Sequence, residues 1–227
     1  MLLDLILNGN FSFIELLVCV LSSFTVIFLT MPVHEFAHSF AAYKLGDKTQ
    51  KYSGRLTLNP FAHIDWFGAA CILIAGFGWA KPVGVNPLYF KKQKRDMAIT
   101  AAAGPVANLV VAFVCIFISN FLRFLYYKTA VINLLAYLAL FFEYIALINL
   151  SLAVFNLIPV PPLDGSKILA IILPDRLYYK VMQYERYIYF AVLILVFSGV
   201  LDRPISIIRN LIFIAFSNIT ALPFNLF

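Results

Sequence analysis

Charge is scarce in this chain. Asp, Glu, Lys and Arg make up 12% of its 227 residues, where soluble domains carry roughly a quarter. Hydrophobic residues make up 63% and mean hydropathy is +0.91. A soluble globular enzyme is excluded, and the class left is a polytopic membrane protein. Cysteine is also rare. Cys19, Cys71 and Cys115 all lie in apolar stretches without C-x-x-C spacing. That excludes a disulfide framework and a cysteine-built metal site, and leaves three small buried hydrophobes. There is no internal repeat, no low-complexity tract and no polar stretch of domain size. The first residues, Met-Leu-Leu-Asp-Leu-Ile-Leu, have no basic n-region and no small-x-small site, so they read as an uncleaved segment. The net charge of +6 sits in short loops between apolar segments. Such charge orients a membrane protein and implies no nucleic-acid partner.

What is present is a succession of apolar segments. The first long helix is expected from about Phe13 to Tyr43, with Pro32 inside it as a source of a kink. Lys44 to Pro60 is polar and basic, and its Lys-Tyr-Ser-Gly-Arg-Leu-Thr-Leu-Asn-Pro portion alternates weakly, as a short strand or hairpin does. Trp66–Ala80 is apolar, about 15 residues long and interrupted by Gly68, Gly76 and Gly78. That is short for a span and suits a re-entrant element. Spans are expected at Ile99–Leu122, Val131–Leu157 and Tyr187–Leu201. Lys167–Arg186 reads as an amphipathic stretch and Ile205–Phe216 as an interfacial or final short helix. The fold class is therefore an all-α polytopic membrane protein with about four to six membrane-embedded helices. A short re-entrant or β-hairpin element follows the first long helix. Residues 1–227 read as one membrane-embedded domain, with its core at about 13–201 and a tail element at 202–217.

The first long helix carries His34-Glu35-Phe36-Ala37-His38. On a helix, positions i and i+4 share a face, so both imidazoles reach one metal ion with a carboxylate beside them. Three ionisable groups at the end of such an apolar run cost about 2–3 kcal/mol each, which marks a functional site. A catalytic zinc takes three protein ligands and one open position. His63 is the remaining histidine, but Asp164 is the better third ligand. It follows Pro159, Pro161 and Pro162, which end a helix, and precedes Gly165. Unwound backbone at membrane depth survives only against protein or a wet cavity. Charge bias agrees. If Trp66–Ala80 dips in and returns, the basic loops around Lys44–Arg55 and Lys81–Arg95 are both cytoplasmic, and Asp164 returns to the end that holds the histidines.

With these motifs in place, the sequence resembles the site-2 intramembrane zinc metalloproteases. The family's second motif, N-x-x-P-x-P-x-x-D-G, is met by Asn156-Leu157-Ile158-Pro159-Val160-Pro161-Pro162-Leu163-Asp164-Gly165. Gly104-Pro105 with Asn108 resembles its glycine-proline-asparagine element. The segments Leu58–Asp65 and Gly78–Pro82 look like its compact bacterial and archaeal branch, which lacks PDZ and CBS modules. The resemblance implies one Zn2+ per chain on His34, His38 and Asp164, with Glu35 as general base. It also implies hydrolysis of a peptide bond within or near a transmembrane helix of a membrane protein. The partners expected are that substrate, the lipid bilayer and a regulatory membrane protein. The location expected is the cell membrane, multi-pass, with the active site toward the cytoplasmic half. Asn156 and Asn108 read either as interhelical glue worth about 1 kcal/mol or as grips on substrate backbone and oxyanion. His63 reads either as a loop histidine with a local hydrogen bond or as a partner behind the metal ligands. Glu143, in mid-span, has no role assigned. The competing functions are a membrane zinc transporter and a catalytically inactive membrane chaperone.

Overall fold

The computed structural model describes residues 12–75, 78–81, 84–129 and 133–224. Expectations for the N-terminal residues, Gly76 and Pro82 lie outside them. Helix α1 runs Phe13–Leu45. Its start is a capping box. The Ser12 hydroxyl accepts from the Glu15 amide at 3.2 Å, and the Glu15 carboxylate accepts from the Ser12 amide at 2.8 Å. Glu15 thus serves a helix end. The expected kink takes the form of a π-helical turn over Val26–Thr30, after which α-helix resumes at Met31–Leu45. Pro32 has no N–H to give to the turn before it, and the Met31 amide reaches back to the Val26 carbonyl, five residues away. The histidine motif therefore follows a local change in helical pitch.

The strand or hairpin expected after α1 is not there. Among the described residues no strand occurs. Thr49–Tyr52 is a single helical turn and Pro60–Ala62 a 3-10 turn. The weak alternation is outweighed by local bonding: the Arg55 and Leu56 amides both donate to Gln50 O, at 3.0 and 3.2 Å. The segment that follows does turn back on itself. Asp65 Oδ1 accepts from the Phe67 and Gly68 amides and starts helix α2, Trp66–Ala75. The chain then returns alongside α2, and the Lys81 amide donates to His63 O at 2.7 Å. Gly68 and Gly78 make this approach possible. A Cβ on Gly68 would strike the Trp79 backbone, and one on Gly78 the Gly68 carbonyl. With residues 63 and 81 joined, the two ends of the segment lie side by side.

Helix α3, Gln93–Thr129, and helix α4, Asn133–Asn156, form the central pair. Buried Ala101, Ala112, Ala139, Ala146 and Ala153 let helix backbones come close. Hydroxyls tie the bundle: Ser119 Oγ donates to Ala139 O at 2.9 Å, and Ser22 Oγ to Phe141 O at 3.1 Å. The apolar core is built from Ile27, Ile72, Ile116, Ile148 and Leu150, among others. Glu143 now has an explanation, since it pairs with Arg123 across the α3–α4 contact. Each charge supplies the neutralising partner that the other needs in apolar surroundings.

Short helices α5, Asp164–Leu169, and α6, Asp175–Gln183, follow, then α7, Glu185–Phe197, and α8, Asp202–Ala221. The expected roles of the last two segments are exchanged. Helix α7 has 13 residues, a length of about 20 Å against a hydrocarbon core of about 30 Å. Helix α8 has 20 residues and is long and apolar enough to span. Pro204 sits in the first turn of α8, where a missing N–H costs nothing. Asn120 Nδ2 fastens α8 to α3 by donating to Ser217 O at 3.2 Å and Thr220 Oγ1 at 2.8 Å. Four helices, α1, α3, α4 and α8, are candidate spans. The protein is thus all-α among its described residues and multi-pass by helix length and composition.

Candidate metal centre

The two histidines come from one face of α1, and the aspartate from the first residue of α5. Between α4 and α5 the chain makes a tight turn through Pro159, Pro161 and Pro162. Gly165 is required there because a Cβ would strike the Leu157 and Ile158 carbonyls. This packing delivers Asp164 to the histidines. His38 Nε2 lies 3.1 Å and His34 Nε2 3.6 Å from Asp164 Oδ2, and the two Nε2 atoms are 3.0 Å apart. The three residues are nearly buried.

This triangle fits a zinc ion. Ligand bonds of about 2.0–2.1 Å in a tetrahedron place donors roughly 3.3–3.4 Å apart, and the observed edges bracket that value. The surroundings fix which atoms face inward. His38 Nδ1 lies 2.7 Å from the Thr100 carbonyl, an acceptor, so Nδ1 carries the proton and Nε2 presents its lone pair to the centre. Asp164 Oδ1 is approached by Lys167 Nζ at 3.4 Å, which leaves Oδ2 for the histidine side. His34 Nδ1 is buried and has no hydrogen-bond partner among the described residues.

A cavity of about 710 Å³ opens onto the triad. Glu35, Asn108 and Asn156 line it with the three candidate ligands. Asn108 is buried and its Nδ2 has no partner among the described residues, whereas Asn156 Nδ2 donates to Leu152 O of its own helix at 3.0 Å. His63 does not line the cavity. It bonds Thr57 O through Nε2 at 2.8 Å and braces the loop. Burial, joined by nearby Arg55, pushes its imidazole below the ordinary histidine range. The opposite wall comes from α7, including Glu185, Arg186 and Tyr189, and from the returning strand of chain at Trp79 and Ala80.

Two contributors were not evident from the sequence. Gly104 lies against both imidazoles: a Cβ there would strike His38 Nε2 and come within 2.6 Å of the His34 ring. The sequence marked it only as part of the glycine-proline-asparagine element, and its missing side chain is what admits α3 to the centre. Lys167 had read as part of an amphipathic stretch, and its signal was the i,i+3 spacing from Asp164 on a short helix.

Comparison with known proteins agrees with this geometry. The protein named "Putative zinc metalloprotease YwhC" of Bacillus subtilis is 42% identical over 172 residues, which are 74% of this chain and 77% of YwhC. The chain belongs to peptidase family M50. That family's profile matches residues 126–199, the stretch that includes α4, the proline turn and Asp164. A zinc metalloprotease of Methanocaldococcus jannaschii is 28% identical over 153 residues, or 67% of this chain and 34% of that protein. "Putative zinc metalloprotease Rip2" of Mycolicibacterium smegmatis is 29% identical over 143 residues, 60% of this chain and 51% of its own length. No solved structure matches. This M50 chain is therefore a zinc metalloprotease with candidate transmembrane helices, and the one group of side chains among the described residues that could hold a metal ion is His34, His38 and Asp164.

Proposed function

We propose that this M50 protease is an intramembrane endopeptidase that hydrolyses a peptide bond within or near a transmembrane helix of another protein. The observation that carries this reading is the placement of His34, Glu35, His38 and Asp164 on one cavity, with the histidines inside a candidate span. His34 Nε2, His38 Nε2 and Asp164 Oδ2 would hold one zinc. When bound, the ion supplies Lewis-acid polarisation of the scissile carbonyl and makes water acidic enough to react near neutral pH.

The side chains do the rest. The Glu35 carboxylate takes the proton of the attacking water and hands it to the departing amine. Asn108 Nδ2, without a partner among the described residues, donates to a substrate carbonyl oxygen or to the charge that develops on it. Asn156 lines the same wall and is a second donor for unwound substrate backbone. Lys167 keeps Asp164 oriented by engaging Oδ1. The largely apolar cavity limits water to what the reaction needs. A substrate helix must open locally before its carbonyl reaches these groups, so helix-breaking residues favour cleavage. The basic residues at 44–55 and 91–95 set this end of the bundle toward the cytoplasm.

The test is Glu35→Gln in protein reconstituted with a helical substrate. Zinc content is expected to stay at the wild-type level while cleavage falls by about 10²-fold or more. Undiminished cleavage, or zinc flux without cleavage in the wild type, refutes the reading.

A further inference from the structure

A second buried polar cluster lies just beyond the histidine helix. Gly46 ends α1 with φ of 120°, and a Cβ there would meet the Tyr89 carbonyl oxygen at 2.9 Å. The loop after α1 is thus pressed against residues 84–90. Asp47 follows and is fully buried. Its two oxygens take four donors. Oδ1 accepts from the Thr49 amide at 3.0 Å and from the Thr49 hydroxyl, and Oδ2 accepts from Gln50 Nε2 at 3.0 Å and from the Asn86 amide at 2.9 Å. Gln50, also fully buried, donates from the same Nε2 to the Gly84 carbonyl at 2.9 Å. Two side chains from the end of the histidine helix therefore grip one strap of backbone at residues 84 and 86.

That strap bounds the cavity. Trp79, Ala80 and Val85 line it, facing His34, Glu35 and His38. Its near end is fixed by the Lys81 amide on His63 O at 2.7 Å. Its far end leads through Asn86, whose side chain accepts from the Leu88 amide, into α3 with Thr100, Gly104 and Asn108. Neither Asp47 nor Gln50 lines the cavity. Both act through backbone.

We propose that Asp47 is a positioning residue of this protease, with Gln50 as its auxiliary. By holding the strap at Gly84 and Asn86, it sets the distance between the wall residues Trp79, Ala80 and Val85 and the histidine helix, and so the width of the cleft that receives substrate. This rests on the protease reading above. The clamp acts on docking and leaves the metal ligands and Glu35 in place. Loosening it weakens substrate binding while the bound complex still reacts.

The experiment compares wild type, Asp47→Asn and Gln50→Met as full-length protein in the same vesicles, with one helical substrate. An asparagine keeps the shape of Asp47 but turns a donor toward the Gln50 and Asn86 donors. Methionine fills the Gln50 site without its hydrogen bonds. For Asp47→Asn, KM is expected to rise about tenfold or more, with kcat within about twofold and zinc content unchanged. For Gln50→Met, the KM rise is smaller, about threefold. An unchanged KM in folded, zinc-loaded protein overturns the proposal, as does a fall in kcat at constant KM. If Asp47→Asn does not fold, Gln50→Met decides alone by the same criteria. Absence of cleavage by the wild type speaks against the protease reading itself, a result distinct from either.

Discussion

Two buried aspartates serve this site, Asp164 within it and Asp47 behind one of its walls, and their surroundings are opposites. Asp47 is saturated: four neutral donors converge on its two oxygens. Asp164 turns Oδ2 to two imidazole nitrogens, one of which, His38 Nε2, is left without a proton because Nδ1 is committed to the Thr100 carbonyl. A carboxylate turned toward an imidazole lone pair is suited to sharing a cation with it. A carboxylate ringed by N–H and O–H groups needs nothing more. The contrast separates a group placed to share an ion from one that holds the backbone, although both are buried.

The largest effect expected from breaking the comparison is on metal content. Asp164→Ala should lose zinc affinity by more than about 100-fold and lose cleavage with it. Asp47→Asn should keep its zinc, and metal analysis of the two purified proteins checks this. If both lose zinc alike, the distinction fails. A smaller effect tests how closely α3 must approach. Gly104→Ala sets a methyl against His38 Nε2 and the His34 ring, and zinc affinity should fall roughly 10–100-fold without loss of helix content. Competition with a chelator, read beside circular dichroism, measures both. The smallest effect is on pH dependence. Burial raises the Asp47 carboxyl, but the hydrogen bonds from Thr49, Asn86 and Gln50 outweigh it and hold the group below the usual carboxylate range. A pKa lowered by folding contributes stability that is full above the unfolded value of about 3.9 and is lost as pH falls through the folded value. Thermal unfolding in detergent should therefore lose Tm below about pH 4 by an increment that Asp47→Asn lacks.

Local rules made much of the site legible in the sequence. His34 and His38 share a face because of helical pitch alone, and Asp164 was marked by prolines that bar regular helix and by Gly165 after it. Other features were invisible for equally definite reasons. The need for glycine at 104 arises from a different helix pressing on it, and no local pattern encodes that approach. Alternation over Lys51–Pro60 suggested a strand or hairpin, but a strand exists only with a partner, and the Arg55 and Leu56 amides bond back to Gln50. The exchange of roles between α7 and α8 escaped a hydropathy window because length, set by where Gly199 ends one helix and Pro204 opens the next, decides which can span.

Sequence alone determined that this chain is apolar enough to cross a membrane several times, that two imidazoles and a glutamate ride one helix, and that a proline-bound aspartate waits some 130 residues further on. Those are matters of composition and of helical period, which act over a few residues. Tertiary structure decided that the aspartate meets the imidazoles within 3.1–3.6 Å. It also decided that α3 slides in close enough to present Thr100 O, and that a clamp at Asp47 fixes the facing wall. Each of those depends on how separate helices pack, and packing is set by the joint shape of many side chains that no single stretch of sequence contains.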